Sequence, residues 1–135
     1  MWTFGGKPLD VPIADMEGFV YIITNNINGM KYIGKKSFWS RRKIKKAKRR
    51  TTLESDWKDY YGSSEDIQKA VKEFGKENFT RTILFVCKHK KTMGYLETKL
   101  QFLHDVLEKP GEYYNTNILG KYFTSEVDRL YKQRI

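Results

Sequence analysis

Residues 18–34 read GFVYIITNNINGMKYIG, and this stretch decides the fold. Gly18 to Thr24 is a run of aromatic and β-branched residues, the types that fit a pleated, packed surface. Asn25-Asn26-Ile27-Asn28-Gly29 interrupts the run, and its Asn-Gly pair is a strong turn signal. Met30 to Ile33 reads as the return strand, closed by Gly34. The stretch is a β-hairpin.

Working outward toward the C-terminus, Ser37 is a candidate cap for a helix through RRKIKKAKRR at residues 41–50. Residues 51–64, TTLESDWKDYYGSS, read as an ordered loop with embedded aromatics. Ser64 precedes Ile67, Ala70, Val71 and Phe74 at helical spacing, and Gly75 ends that helix. FTRTILFVC at residues 79–87 is a third strand, and Thr92 to Leu107 is a second amphipathic helix that stops before Pro110-Gly111. Tyr113 to Leu119 reads as a short extended or turn segment, and Ser125 to Gln133 as a closing helix. Toward the N-terminus, Gly5-Gly6, Pro8 and Pro12 predict an arm with little regular structure, tucked in by Trp2 and Phe4. The expected order is β-β-α-α-β-α. It divides into an arm at 1–17, a body at 18–119 and a tail at 120–135, which is expected to be helical and to pack on the same α/β domain.

The 135 residues suit one domain, and an aromatic share of 15% supplies core volume that a hydrophobic share of 39% would otherwise lack. The longest apolar stretch, near Phe19 to Ile23, is far short of the roughly 20 residues that cross a bilayer. No signal-like segment is read at the start, and the single Cys87 excludes an intrachain disulfide, so a cytosolic protein is expected. Of 26 basic residues, eight lie between Arg41 and Arg50 with no acid among them, leaving 18 against 16 elsewhere and a net charge of +10 overall. Such a block repels itself unless a polyanion offsets it, and nucleic acid is the partner this predicts. His89, His104 and Cys87 have no zinc-ligand spacing.

Phe19-Val20-Tyr21 and Tyr32-Ile33-Gly34 on the two hairpin strands resemble the two halves of the GIY-YIG signature, with Phe-Val in place of Gly-Ile. Further matches fall in family order: Lys35 directly after Gly34, Arg42 on the expected first helix, Glu97 in YLETKLQF, and Asn115 in YYNT. Singly, each has a plain reading as a sheet, surface or turn residue; all of them in one order are specific. The chain thus resembles the GIY-YIG endonucleases from about Gly18 to Asn117, and YIGKKSFW, ESDWKDYYGSS and YLETKLQF resemble the phage Seg-type subgroup.

The resemblance implies a small three-stranded antiparallel sheet flanked by helices, and divalent-metal-dependent hydrolysis of double-stranded DNA by a mobile-element or homing-type phage enzyme. Such an enzyme works in the cytoplasm of the infected bacterium, as a monomer or weak dimer, with no membrane or small-molecule partner. The rival is a non-catalytic nucleic-acid-binding module of the same fold. Glu97 is the implied ligand of Mg²⁺ or Mn²⁺, a cation that keeps most of its waters. Arg42 is implied to bind the scissile phosphate and Asn115 to orient a neighbouring group or the phosphate. A hairpin tyrosine, Tyr21 or Tyr32, is the implied base, with Lys35 and Arg42 or a metal favouring the phenolate; Tyr21 is favoured as base or water-positioning group and Tyr32 as its hydrogen-bonding partner. Lys46 stands where several members carry a histidine; either the mechanism does without it, or a residue in Asp56 to Ser64 substitutes, with Tyr60, Tyr61 and Ser63 as candidates alongside Lys36. The expected nucleic-acid surface comprises Lys36, Arg41, Lys43, Lys45, Lys46, Lys48, Arg49, Arg50, Trp57, Tyr60, Tyr61 and Ser63.

Overall fold

The computed structural model describes residues 1–43 and 50–133, and for residues 42, 43, 50 and 51 the backbone alone. Strands β1 (Trp2–Phe4), β2 (Lys7–Leu9), β3 (Gly18–Asn25) and β4 (Lys31–Ser37) are followed by β5 (Trp39–Lys43) and β6 (Arg50–Glu54). Then come α1 (Glu65–Phe74), β7 (Phe79–Cys87), α2 (Lys90–Leu103), β8 (Asn117–Ile118), β9 (Tyr122–Phe123) and α3 (Thr124–Lys132). The main sheet has the order β2-β1-β7-β3-β4, so β4 is an edge strand.

The hairpin forms as its sequence predicts. β3 and β4 pair antiparallel, with Tyr21 opposite Gly34 and Ile23 opposite Tyr32. Gly29 takes φ 77° in the connection, a conformation that favours glycine. β3 is apolar on both faces because the sheet is covered on both sides. Phe19, Tyr21 and Ile23 face a core shared with Trp2, Trp57, Ile67 and Val71. Val20 faces Met93 of α2.

The three-stranded expectation covers only β7-β3-β4; the sheet is five-stranded and mixed, because the N-terminal arm joins it. β1 pairs parallel to β7, and β2 pairs back on β1. The Gly5-Gly6 pair between them has φ 60° and 78°, the geometry of a tight hairpin turn. Trp2 is fully buried and donates Nε1–H to the Trp57 carbonyl at 2.7 Å, whereas Phe4 remains exposed.

The expected helix through the basic block is also corrected. Residues 39–43 and 50–54 form a separate antiparallel ribbon in which Arg42 lies opposite Thr51 and Lys43 opposite Arg50. Ser37 ends β4 and caps nothing; its carbonyl accepts from Ser55 Oγ at 2.6 Å. Two anchors hold the ribbon's base: Trp39 Nε1 donates to Met16 O at 2.9 Å, and Arg41 pairs with the buried Glu17 carboxylate at 2.9 Å. A helix here would stack like charges one turn apart, whereas Thr51 and Thr52 favour strand. Arg42 therefore sits on a strand, and Lys45, Lys46, Lys48 and Arg49 lie outside the described residues. The loop expected at residues 51–64 likewise begins as β6. α2 ends at Leu103, before Leu107, with Asp105 in a left-handed conformation at φ 53°.

Candidate active site

Alternation along β4 sends its residues to both faces of the sheet, and because β4 is an edge, both faces open on one cleft. The cleft has a volume of about 320 Å³ and is lined by Tyr32, Ser63, Glu97, Gln101, Asn115 and Thr116 among others. Tyr32 and Ser63 come from the α1 side, and Glu97 and Gln101 from α2.

Tyr32 shares a hydrogen bond with Ser63, Oη to Oγ, at 3.1 Å. The YYGSS segment achieves this by turning at Gly62, whose φ is 100°. A Cβ there would meet Ile67 Cγ2 at 2.7 Å. Ser64 then caps α1, its hydroxyl accepting from Ile67 N–H at 3.3 Å. Burial pushes the Tyr32 phenol pKa up, and the bond to Ser63 opposes that shift.

Tyr21 occupies a different setting. Its ring is wholly buried, and among the described residues its hydroxyl has no hydrogen-bond partner. Burial first, then the neighbouring phenols of Tyr60 and Tyr32, hold its pKa well above the ordinary value. The expected hydrogen bond between Tyr21 and Tyr32 is not formed: their rings lie 6.2 Å apart, and Tyr32 bonds to Ser63 instead. Tyr21 lies over Gly34, which explains that glycine. A Cβ at Gly34 would strike the Tyr21 hydroxyl and stand 2.7 Å from its Cζ. β3 carries a bulge against β7 between Val20 and Tyr21, the kind of irregularity that re-aims a side chain beside a site.

Glu97 is largely buried on α2, which raises its carboxyl pKa; Lys35 opposes the shift, with Nζ at 4.0 Å from Oε1. Among the described residues, no group of three or more His, Cys, Asp or Glu comes together. The donors around Glu97 are instead hydroxyl and amide oxygens, suited to a hard cation that keeps its waters.

Asn115 uses both polar atoms on one residue of β4. Its Oδ1 accepts from Ile33 N–H at 3.1 Å and its Nδ2–H donates to Ile33 O at 2.8 Å. Backbone bonds from Lys31 N–H to Glu112 O and from Tyr114 N–H to Lys31 O lead into this pair. Asn115 thus continues, with a side chain, the pairing of a strand along the β4 edge.

The remaining expected site residues divide. Lys36 does not line the cleft; it pairs with Asp56 at 2.6 Å, its Nζ 4.2 Å from the Tyr60 ring centre. Tyr61 packs on the Arg81 guanidinium at 4.1 Å. Trp57 cannot stack on a base: it is a core residue, edge-on to Phe38 and Phe19. Its indole N–H donates to Glu54 Oε1 at 2.9 Å.

Two contributors escaped the sequence reading. Gln101 lines the cleft one turn after Glu97, a spacing that would have flagged it. Buried Arg81 donates Nη1–H to the carbonyls of Lys58 and Tyr60 at 2.9 and 2.8 Å, pinning the loop that delivers Ser63. No local signal marks Arg81 in its strand.

A family profile described as "Putative endonuclease segE, GIY-YIG domain" matches residues 2–118. The protein of that name from Enterobacteria phage T4 is 38% identical over 101 residues, which are 74% of this chain and 40% of that protein. The chain therefore spans under half the length of that relative. No solved structure gives a significant match.

Proposed function

Because the chain belongs to the SegE-type GIY-YIG endonuclease family, we propose that it is a divalent-metal-dependent endonuclease that hydrolyses phosphodiester bonds of double-stranded DNA at the β4-edge cleft. The observation that carries this reading is the convergence of Tyr32, Ser63 and Glu97 on one cleft, with Lys35 4.0 Å from the carboxylate.

Glu97 is the residue that would hold Mg²⁺ or Mn²⁺, and the oxygen-rich lining fits such an ion. When bound, the cation supplies charge stabilisation at the phosphoryl and leaving oxygens. Tyr32 is the phenol that meets the attacking water, because it lines the cleft while Tyr21 does not. Ser63 holds the Tyr32 hydroxyl at 3.1 Å, which orients it and favours its ionised form. Tyr21 supports β4 from beneath through its contact over Gly34. Lys35 offsets charge beside Glu97, and Arg42, on β5, is assigned to the scissile phosphate. Asn115 positions Ile33, and through it the strand carrying Tyr32 and Lys35.

The basic ribbon is assigned to the DNA. A two-stranded β-ribbon is of a width that the major groove admits, and the charge of residues 41–50 suits a phosphate backbone. The similarity to a phage protein supports a mobile-element role in the cytoplasm of an infected bacterium. No helix among the described residues is long and apolar enough to cross a membrane.

Incubating purified protein with supercoiled plasmid and Mg²⁺ tests the reading. Nicked product that disappears on chelation, and in Glu97→Ala with DNA binding retained, is expected. Salt-sensitive binding without any cutting would make the chain a binding module instead.

A further inference from the structure

Among the described residues, three other than glycine take a positive φ: Asp15, Asp105 and Leu119. Aspartate tolerates that region through its short polar side chain, whereas leucine meets the full steric cost of its Cβ. Leu119 (φ 61°) and Gly120 (φ 62°) are the central residues of the turn between β8 and β9, a conformation that prefers Asn-Gly. The turn is fixed from several sides. Lys121 N–H donates to Ile118 O at 3.1 Å, and Gly120 N–H donates to Asn117 Oδ1 at 2.9 Å. Ile118 is buried, and Tyr122 packs edge-on against Phe102 of α2, with ring centres 5.9 Å apart.

Fold stability does not account for the leucine. It is 66% exposed, and glycine or asparagine would suit the turn better. A strained residue kept in a well-determined frame calls for a functional reason. Its location supplies one, because Leu119 lines the same cleft as Tyr32 and Glu97. An apolar side chain offers nothing to a phosphate or a hydrated cation, but it fits the face of a base. Leucine is among the residues that proteins insert between base steps, unstacking and kinking the duplex. We infer that Leu119 is a wedge that enters the base step beside the phosphate held in the cleft. Cutting then favours steps that unstack easily, such as TA and CA. This inference rests on the DNA-nuclease reading of the same cleft and adds a specificity-determining residue outside the motif positions.

The test uses a duplex oligonucleotide carrying a nick site mapped on plasmid, with a thymine at the step beside the cut phosphate. The same duplex mismatched at that step is the comparison. Leu119→Gly should nick the paired duplex roughly tenfold more slowly or worse. Its Tm should be no lower than the parent's, because glycine adopts this backbone without strain. On the mismatched duplex, already unstacked, it should cut within about twofold of the parent. Leu119→Met, which keeps an apolar side chain, should cut the paired duplex as the parent does. With metal chelated, permanganate should oxidise the thymine at that step in the parent complex and spare it in the Leu119→Gly complex. Equal nicking of the paired duplex by parent and Leu119→Gly, or a slowing that the mismatch does not rescue, overturns the wedge and leaves the nuclease reading standing. Should Leu119→Gly fail to fold, a thymine in the parent complex no more reactive than in free DNA overturns the wedge. A parent that cuts no DNA overturns the nuclease reading, and the wedge with it.

Discussion

Substituting Asn115 separates a residue that builds the site from one that touches substrate. In the structure both its polar atoms serve Ile33, at 3.1 and 2.8 Å, and Ile33 is wholly buried. Asn115→Ala orphans the Ile33 N–H, which has no other partner on the outer edge of the sheet, at about 1–3 kcal/mol. The Ile33 carbonyl keeps Gln101 Nε2 at 3.0 Å, so its loss adds less, about 1 kcal/mol. A total of about 2–4 kcal/mol corresponds to a drop of about 10 °C in Tm for a chain of this size. Asn115→Asp tests the geometry further. At neutral pH its second oxygen faces Ile33 O without a proton, so the variant is destabilised. The folded-state pKa of the new carboxyl is thereby raised above its unfolded value. Stability relative to the parent is recovered as pH falls through that folded pKa, and lost as pH rises through it. Thermal and urea unfolding at pH 7 and pH 5 measure both effects. Plasmid nicking, assayed well below the melting range, should fall no further than misplacement of Tyr32 and Lys35 requires. If Asn115→Ala leaves stability within about 0.5 kcal/mol of the parent while cutting is abolished, Asn115 acts on the phosphate and the positioning argument is wrong.

Gly34→Ala should destabilise the fold by about 1–3 kcal/mol through overpacking against Tyr21, and Tyr21→Phe should relieve part of that cost in a double-mutant unfolding cycle. Burial raises the Glu97 pKa, so its charged form opposes folding at neutral pH; Glu97→Gln should be more stable than the parent above the raised pKa and lose that advantage as pH falls through it, read by urea unfolding across pH 4–8. Neutralising Lys45, Lys46, Lys48, Arg49 and Arg50 together should flatten the log–log salt dependence of DNA binding by about 0.9 per lost phosphate contact; an unchanged slope means that the block faces away from the DNA.

The hairpin at residues 18–34 was legible because a run of aromatic and β-branched residues and an Asn-Gly turn act locally and agree with one another. α1 was legible for the same reason, with Ser64 as cap and Gly75 as stop. The ribbon was not. A stretch rich in Lys and Arg has good helix propensity residue by residue, and the anchors Trp39 to Met16 and Arg41 to Glu17, contacts distant in sequence, tip the balance to strand. The arm's strands are hidden because Gly5-Gly6 reads as a break in structure, when two glycines in succession also make a hairpin turn. In the site, Tyr32 and Glu97 could be singled out by motif, but nothing in the motif says that Tyr21 is buried or that Trp57 belongs to the core. Those facts depend on which rings the core between the sheet and α1 leaves room for.

The edge position of β4 ties these observations together. An edge strand exposes unpaired N–H and C=O groups that invite another chain to pair. Here Ile33, midway along that edge, is closed by side-chain amides, Asn115 on both its groups and Gln101 on the carbonyl. A full further strand would have closed the edge equally well, but it would have filled the space beside Tyr32. Amides of this size cap the backbone and still leave a cleft of about 320 Å³ between the two faces of the sheet. Side chains from opposite faces, Tyr32 on one and Lys35 on the other, can then act on one substrate from positions three residues apart on a single strand. The protein therefore tolerates replacement of Val127, which packs from α3 against the cluster of Ile33, Val106, Leu107 and Ile118, far better than replacement of either amide, because apolar packing there can be remade while the edge cannot.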